Sequence, residues 1–310
     1  PVYHAFARVI RAAGREVVEC PLVMNNGRYE MDFDAYDGMM TGREKMVMLC
    51  SPHNPGGRVW SAEELRGVAE FCRRHDLILV SDEIHQDIVF PGANFLPTDV
   101  AVPEARDRLI VLGATSKTFN LAGHHTGHAI IPDARLRARY SAVMGGLGIS
   151  TNAFGMHMVE AAYSPEGAAW VDALVAYLDG NRKLLDEGLN GLPGVTSMPL
   201  EATYLAWADF KGTGMEHEEL LRRVEKHARI AVNHGPTFGA GEVLLEVYLF
   251  DFDQAIGLQG VPGRYQIDDT PAESQLRRQF HGPIELDAFG LNAAAGEVGL
   301  SQCRIFGGDA

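Results

Sequence analysis

Short apolar runs alternate with amphipathic stretches through the first half of the chain. Lys45-Met46-Val47-Met48-Leu49-Cys50 is almost continuously apolar, the pattern of a strand covered on both faces. Leu77-Ile78-Leu79-Val80, Leu109-Ile110-Val111-Leu112 and Ala129-Ile130-Ile131 repeat it. Glu16-Val17-Val18-Glu19-Cys20 predicts one more strand, after a helix over residues 3–13. Ser61-Ala62-Glu63-Glu64 has the Ser-x-x-Glu form of a capping box. It opens a helix that runs to about Arg74, with Leu65, Val68, Ala69 and Cys72 on one face. Strand–helix–strand alternation at this spacing predicts an α/β fold with a mostly parallel sheet flanked by helices.

The period then changes. Residues 132–189 read as helical, with one long helix over 170–185 suited to joining two domains. Strands are expected within 195–207 and at 230–232, as parts of a smaller α+β unit. After Gly241 the periodicity fades, and residues 257–310 are rich in Gly, Gln and Pro. The expected organisation is a large domain over 1–180, a small domain over 181–250 and a tail over 251–310.

Composition narrows the function classes. The 310 residues are 46% hydrophobic and 22% charged, ordinary for a globular chain. A net charge of -14 argues against a nucleic-acid or anionic membrane partner, since both need clustered Lys and Arg. Cys20, Cys50, Cys72 and Cys303 lack Cys-x-x-Cys spacing, so neither a zinc ribbon nor a redox pair is expected. Cys50 and Cys72 read as small core residues in a reducing compartment. No apolar run reaches membrane-spanning length and no signal peptide is visible, so a cytoplasmic protein is expected. The chain opens Pro1-Val2-Tyr3 without an initiator Met and is expected to be a fragment.

Ligands of open α/β sheets bind beyond the carboxyl ends of the strands. Ser51-Pro52-His53-Asn54-Pro55-Gly56-Gly57, Ser81-Asp82-Glu83-Ile84-His85 and Ala114-Thr115-Ser116-Lys117 each follow a predicted strand. Taken singly, each has a structural explanation: a turn, a helix cap, a core histidine, a solvated lysine. Jointly they supply what a pyridoxal 5'-phosphate (PLP) site needs. Lys117 offers an amine for the aldehyde, and Asp82 a carboxylate for the pyridine nitrogen. Asn54 and His85 can face the phenolic oxygen, and Thr115 and Ser116 carry hydroxyls for the phosphate.

Three segments resemble the fold-type I PLP enzymes (aminotransferase class I/II, aspartate aminotransferase fold), and most closely the MalY/PatB-type cystathionine β-lyases, or C–S lyases. They are Cys50-Ser51-Pro52-His53-Asn54-Pro55-Gly56-Gly57-Arg58-Val59-Trp60, Val80-Ser81-Asp82-Glu83-Ile84-His85 and Ser116-Lys117-Thr118-Phe119-Asn120-Leu121-Ala122-Gly123. Glu201-Ala202-Thr203-Tyr204-Leu205-Ala206-Trp207 is similar to the lyase subgroup, as is His85 three residues after Asp82, where general aminotransferases usually carry Tyr. The resemblance spans residues 1 to about 241. It implies a homodimer that binds PLP and a small amino-acid substrate. Lys117 would carry the cofactor and act as base; Asn54 and Tyr204 would lie near the substrate.

Departures accompany it. His125 stands where many relatives in the wider fold place an Arg on the phosphate. His124, His125 and His128 lack a carboxylate or Cys to complete a metal site, so no metal is expected. The resemblance also implies a preceding segment with a Gly-containing phosphate loop, and an Arg after Gly241 that clamps the substrate carboxylate. The chain reads Glu242-Val243-Leu244-Leu245-Glu246-Val247 there. The expectation is therefore a divergent or frame-shifted end from about Glu242. Three activities stay open: a C–S β-lyase acting on L-cystathionine or related cysteine S-conjugates, an aminotransferase, and a PLP-fold fragment or regulatory partner without turnover.

Overall fold

The uninterrupted apolar runs fold as the strands of one sheet. The computed structural model describes residues 1–239, 241 and 243–249. In chain order the elements are α1 (Ala5–Ala12), β1 (Val23–Asn25), β2 (Arg28–Glu30), α2 (Phe33–Met39), β3 (Met46–Cys50), α3 (Ala62–Arg74), β4 (Ile78–Asp82), α4 (Thr98–Ala101) and β5 (Leu109–Gly113). They continue with β6 (His128–Ile130), α5 (Ala134–Gly146), α6 (Ala153–Ala162), α7 (Pro165–Asn190), β7 (Thr196–Ser197), β8 (Leu205–Asp209), α8 (His217–Leu221), β9 (Asn233–His234) and β10 (Leu244–Tyr248).

One four-stranded sheet has the order β3-β4-β5-β6, with β3, β4 and β5 parallel and β6 antiparallel to β5. Both faces are covered, which is why these strands lack polar alternation. Leu49, Leu79, Leu109 and Val111 pack with Leu65, Val68, Ala69 and Cys72 of α3. Val80 and Ile110 pack with Ile131 on a separate cluster. Each fully buried Leu contributes about 1.5–3 kcal/mol. The capping box forms in full: Glu64 N donates to Ser61 Oγ at 3.2 Å, and Ser61 N donates to Glu64 Oε2 at 2.8 Å.

A second four-stranded sheet has the order β7-β8-β10-β9 and is antiparallel. Ala206 and Val247 pack with Leu174, Leu178 and Leu185 of α7. Trp207 and Leu244 pack with Phe238, Met198 and Tyr29. Both sheets lie within one compact unit.

Several boundaries differ from the sequence pattern. Residues 16–20 form no strand: Val18 is exposed, and none of these residues joins a ladder among the described residues. β-branched composition alone does not make a strand without a neighbouring edge. The long helix starts at Pro165 because Ser164 Oγ accepts from Gly167 N at 3.0 Å and Pro165 suits the first turn. The expected 195–207 strand divides into β7 and β8, with Thr203 between them at φ 73°. The 230–232 strand is displaced to β9. Beyond Gly241, where the periodicity fades, the chain still forms β10, which runs between β8 and β9. The tail over 251–310 lies outside the described residues.

Residues 201–203 join the two sheets' loops. The amides of Glu201 and Ala202 both donate to Gly57 O, at 2.9 and 3.0 Å. Phe90 N donates to Glu201 O at 2.9 Å, and Thr203 N to Ile88 O at 2.8 Å. Gly57 makes this approach possible: its φ is +62°, and a Cβ there would meet Leu200 Cδ1 at 2.1 Å and Ala202 O at 3.4 Å. Gly57→Ala is expected to destabilise the chain by about 1–3 kcal/mol. Urea unfolding of the variant beside wild type checks this; an unchanged midpoint contradicts it.

Candidate active site

The parallel register sets the strand ends level. Cys50 pairs with Asp82, and Asp82 with Leu112. The pairing continues one step further, with Ser51 N donating to Asp82 O at 2.9 Å and Glu83 N to Leu112 O at 2.8 Å. The three polar segments therefore leave the sheet along one edge.

The loop after β3 is buried over residues 51–60. Gly57 N donates to His53 O at 2.7 Å, and His53 N to Arg58 O at 2.8 Å. Asn54 N donates to Cys50 Sγ at 3.3 Å. Burial, with the Asp82 charge beside it, pushes the Cys50 thiol up, which places the base of the Asn54 loop beside Asp82. Asn54 is 6% exposed and its Oδ1 has no partner.

Asp82 Oδ1 accepts from Ile84 N at 3.3 Å. Burial raises its carboxyl above the ordinary range, while Ile84 N and the Lys117 charge oppose that rise. His85 is buried; burial, then the Lys117 charge, pushes it down to about 3, so its ring is neutral. His85 Nδ1 has no partner. Tyr204 packs edge-on against His85, with centroids 5.6 Å apart, and stacks on Tyr248 at 6.2 Å. Burial, with Tyr248 and Glu246 nearby, pushes its hydroxyl up.

Lys117 lies on a tight turn after β5. Phe119 N donates to Thr115 O and Leu121 N to Ser116 O, both at 2.9 Å. Thr118 Oγ1 donates to Asp87 Oδ2 at 3.0 Å, and Phe119 stacks on Trp170 of α7 with centroids 5.1 Å apart. Thr115 is buried; Ser116 and Lys117 are half-buried. The Lys117 charge acts on Asp82, His85 and Glu246, so all three lie within electrostatic reach of this one amine.

The structure thus gathers Lys117, Asp82, His85 and Tyr204, with Asn54 on the adjoining loop and Thr115 and Ser116 on the lysine's own turn. Glu246 is not among the sequence-predicted site residues, although its segment stands where a carboxylate-binding Arg was sought; its strand is buried on both sides and shows no clean alternation. Asp87, which holds the lysine's turn through Thr118, was also missed; its only signal is its place in the segment after Asp82.

A pyridine aldehyde cofactor fits the donor set. Buried polar atoms are almost always paired, yet Asn54 Oδ1, His85 Nδ1 and Ser51 Oγ are not. They lie in the segments that follow β3 and β4, on the edge of the sheet where Asp82 ends its strand and the Lys117 turn follows β5. The phosphate end is more sparsely furnished: Thr115 and Ser116 bring hydroxyls, and His125 holds a left-handed turn at φ 47° where an Arg was sought.

Comparison with known proteins places the chain in a family. Cystathionine β-lyase PatB of Bacillus subtilis is 36% identical over 245 residues, covering 78% of this chain and 63% of PatB. Protein MalY of Escherichia coli is 30% identical over 242 residues, covering 77% of this chain and 61% of MalY. This chain therefore spans about three-fifths of the length of these curated relatives. Among solved structures, cystalysin of Treponema denticola, which contains a pyridoxal 5'-phosphate cofactor, superposes with a TM-score of 0.76 at 31% identity, covering 83% of this chain and 65% of cystalysin. The PLP-bound C–S lyase of Staphylococcus hominis gives 0.72 at 31% identity, covering 80% of this chain and 64% of that one. The family model for aminotransferase class I and II matches residues 1–245. With its lysine, carboxylate and histidine drawn together on the edge of a parallel sheet, the chain belongs to that family.

Proposed function

We propose that this chain is the lysine-bearing part of a PLP-dependent carbon–sulfur β-lyase. The observation that carries the reading is the grouping of Lys117, Asp82 and a neutral His85 at one strand edge. The similarity to cystathionine β-lyase PatB and protein MalY supports the lyase class. When bound, PLP supplies an electron sink for charge that develops at the substrate Cα.

The protein's own groups do the rest. Lys117 would hold the cofactor covalently and, once released, take the proton from the substrate Cα. Asp82 would accept from the pyridine N–H and keep that nitrogen protonated. Asn54 and His85 would face the phenolic oxygen, with the neutral imidazole adding no charge of its own. Thr115 and Ser116 would donate to the phosphate. Asn54 and Tyr204 would line the substrate side. The net reaction for L-cystathionine is α,β-elimination: the Cβ–S bond breaks, water is taken up, and pyruvate, ammonia and a thiol are released.

An aminotransferase is the second reading, favoured by the 30% identity to N-succinyldiaminopimelate aminotransferase DapC of Mycobacterium tuberculosis. It uses the same lysine but returns the proton to the cofactor and needs a keto-acid acceptor. A chain that binds PLP without turnover is the third, favoured by Glu246 near the lysine. Solubility in the cytoplasm and a homodimer complete the proposal. Val143, Leu147, Phe154 and Met156 around α5 and α6 are exposed and offer an apolar face for a second copy.

Three measurements test this reading. Adding PLP and L-cystathionine to the purified chain is expected to release pyruvate and free thiol in equal amounts. Lys117→Ala is expected to remove both, together with the absorbance band that PLP acquires on binding. Pyruvate formation only when a keto acid is supplied would move the assignment to transamination.

His85 gives a pH signature. Its pKa is lowered from 6.5 to about 3 on folding. The stability that goes with the lowered value is present above the unfolded pKa and is lost as pH falls from about 6.5 toward 3. His85→Gln is expected to make the loss of unfolding free energy between pH 7.5 and 5 smaller by about 2 kcal/mol. Urea melts at the two pH values read this directly, and parallel losses in both proteins count against a neutral buried imidazole.

The dimer is tested by sedimentation: wild type is expected at twice the chain mass, and Phe154→Asp is expected to shift toward the single chain. A monomeric wild type removes the proposal.

A further inference from the structure

Glu246 lies in the candidate site without a complete set of partners. On β10 it pairs across the sheet with Trp207, so the two share a face. That face is opposite to the one where Val247 and Ala206 pack with α7. Glu246 is 2% exposed. Asn233 Nδ2 donates to its Oε2 at 2.6 Å, while its Oε1 has no partner. The neighbouring donors are used elsewhere: Trp207 Nε1 donates to Tyr29 Oη at 3.1 Å, and Asn233 Nδ2 also approaches Tyr248 Oη at 3.3 Å. Burial pushes the Glu246 carboxyl up, against the Asn233 bond and the Lys117 charge. Glu246 in turn acts on the Tyr204 hydroxyl. Asn233 Nδ2 links Glu246 Oε2 to Tyr248 Oη, Tyr248 stacks on Tyr204, and Tyr204 packs against His85, so Glu246 joins the candidate site through these contacts.

The charge balance of that site follows. Asp82 and Glu246 are its two acidic groups, Lys117 is its amine, and burial keeps the His85 ring neutral. A buried carboxylate oxygen without a donor costs free energy, and an N–H from a cationic group relieves it with a charge-assisted bond. An anionic group placed beside it would meet like charge at low dielectric.

We propose that Glu246 is a specificity-determining residue that selects ligands with a primary ammonium group at its end of the Lys117 site and rejects ligands with a carboxylate there. This deepens the PLP-lyase reading, because it names the charge of the substrate group that Glu246 faces.

The test is calorimetric titration of the whole chain, without PLP, with two probes of matched length and opposite charge: butane-1,4-diamine and succinate. Wild type is expected to bind the diamine more tightly than succinate by about tenfold or more. Glu246→Gln keeps the acceptor for Asn233 and nearly the same shape; it is expected to weaken the diamine by about tenfold and to strengthen succinate. Glu246→Asp restores the charge and is expected to recover part of the preference. Equal affinity of wild type for the two probes, or a preference for succinate, overturns the proposal without reference to any variant. Unchanged diamine affinity in a folded Glu246→Gln overturns it as well. The PLP absorbance band, read separately on the same proteins, keeps the two readings apart. A band without amine selectivity sinks the Glu246 assignment alone, whereas selectivity without a band sinks the cofactor reading alone.

Discussion

The attraction between the Lys117 ammonium and the Asp82 carboxylate depends on the register of three parallel strands. Cys50, Asp82 and Leu112 lie side by side, so the segments that follow them start from one line. Slipping β4 by one residue would turn Asp82 to the opposite face of the sheet and leave the amine facing apolar atoms. The register is held by what lies behind it. Leu79, Leu109 and Val111 are locked against α3, and those contacts fail together if a strand shifts.

The site has a second support at right angles to the strands. Arg58, only 4% exposed, donates to Tyr29 O, binds both Glu64 oxygens at 3.0 Å, and has its Nε 3.5 Å from Glu201 Oε2. Glu201 also accepts from Val59 N at 2.8 Å. One guanidinium thus ties the Asn54 loop to the start of α3 and to the segment that leads into Tyr204. Its planar donors suit several acceptors at once, a geometry that a lysine does not reproduce. Thr118 and Phe119 anchor the lysine's turn in a comparable way, through Asp87 and Trp170. Each candidate site residue thus sits on a segment whose own bonds are already made, which keeps the site ordered before any ligand arrives.

Several polar atoms in and around the candidate site are buried without partners: Ser51 Oγ, Asn54 Oδ1, His85 Nδ1 and Glu246 Oε1. Glu83 Oε2, Arg58 Nε and His217 Nδ1 are open as well, so an unpaired atom points to a ligand only where other groups of the site converge on it.

Much of this was written in the sequence. Continuous apolar runs identified β3, β4 and β5, because strands buried on both faces have no polar side to alternate with. Ser61 and Glu64 marked the start of α3, because a capping box is a local contact. Lys117, Asp82, His85 and Asn54 were legible because each directly follows such a run. What the sequence did not determine rests on contacts between distant segments. Residues 16–20 have strand composition but no edge to pair with, and β10 looked irregular until β8 and β9 enclosed it. Glu246 came within electrostatic reach of Lys117 only through that pairing. Period and capping are short-range properties that a sequence carries in itself; strand pairing and the field around a buried charge depend on residues from separate segments of the chain, and only tertiary packing brings those together.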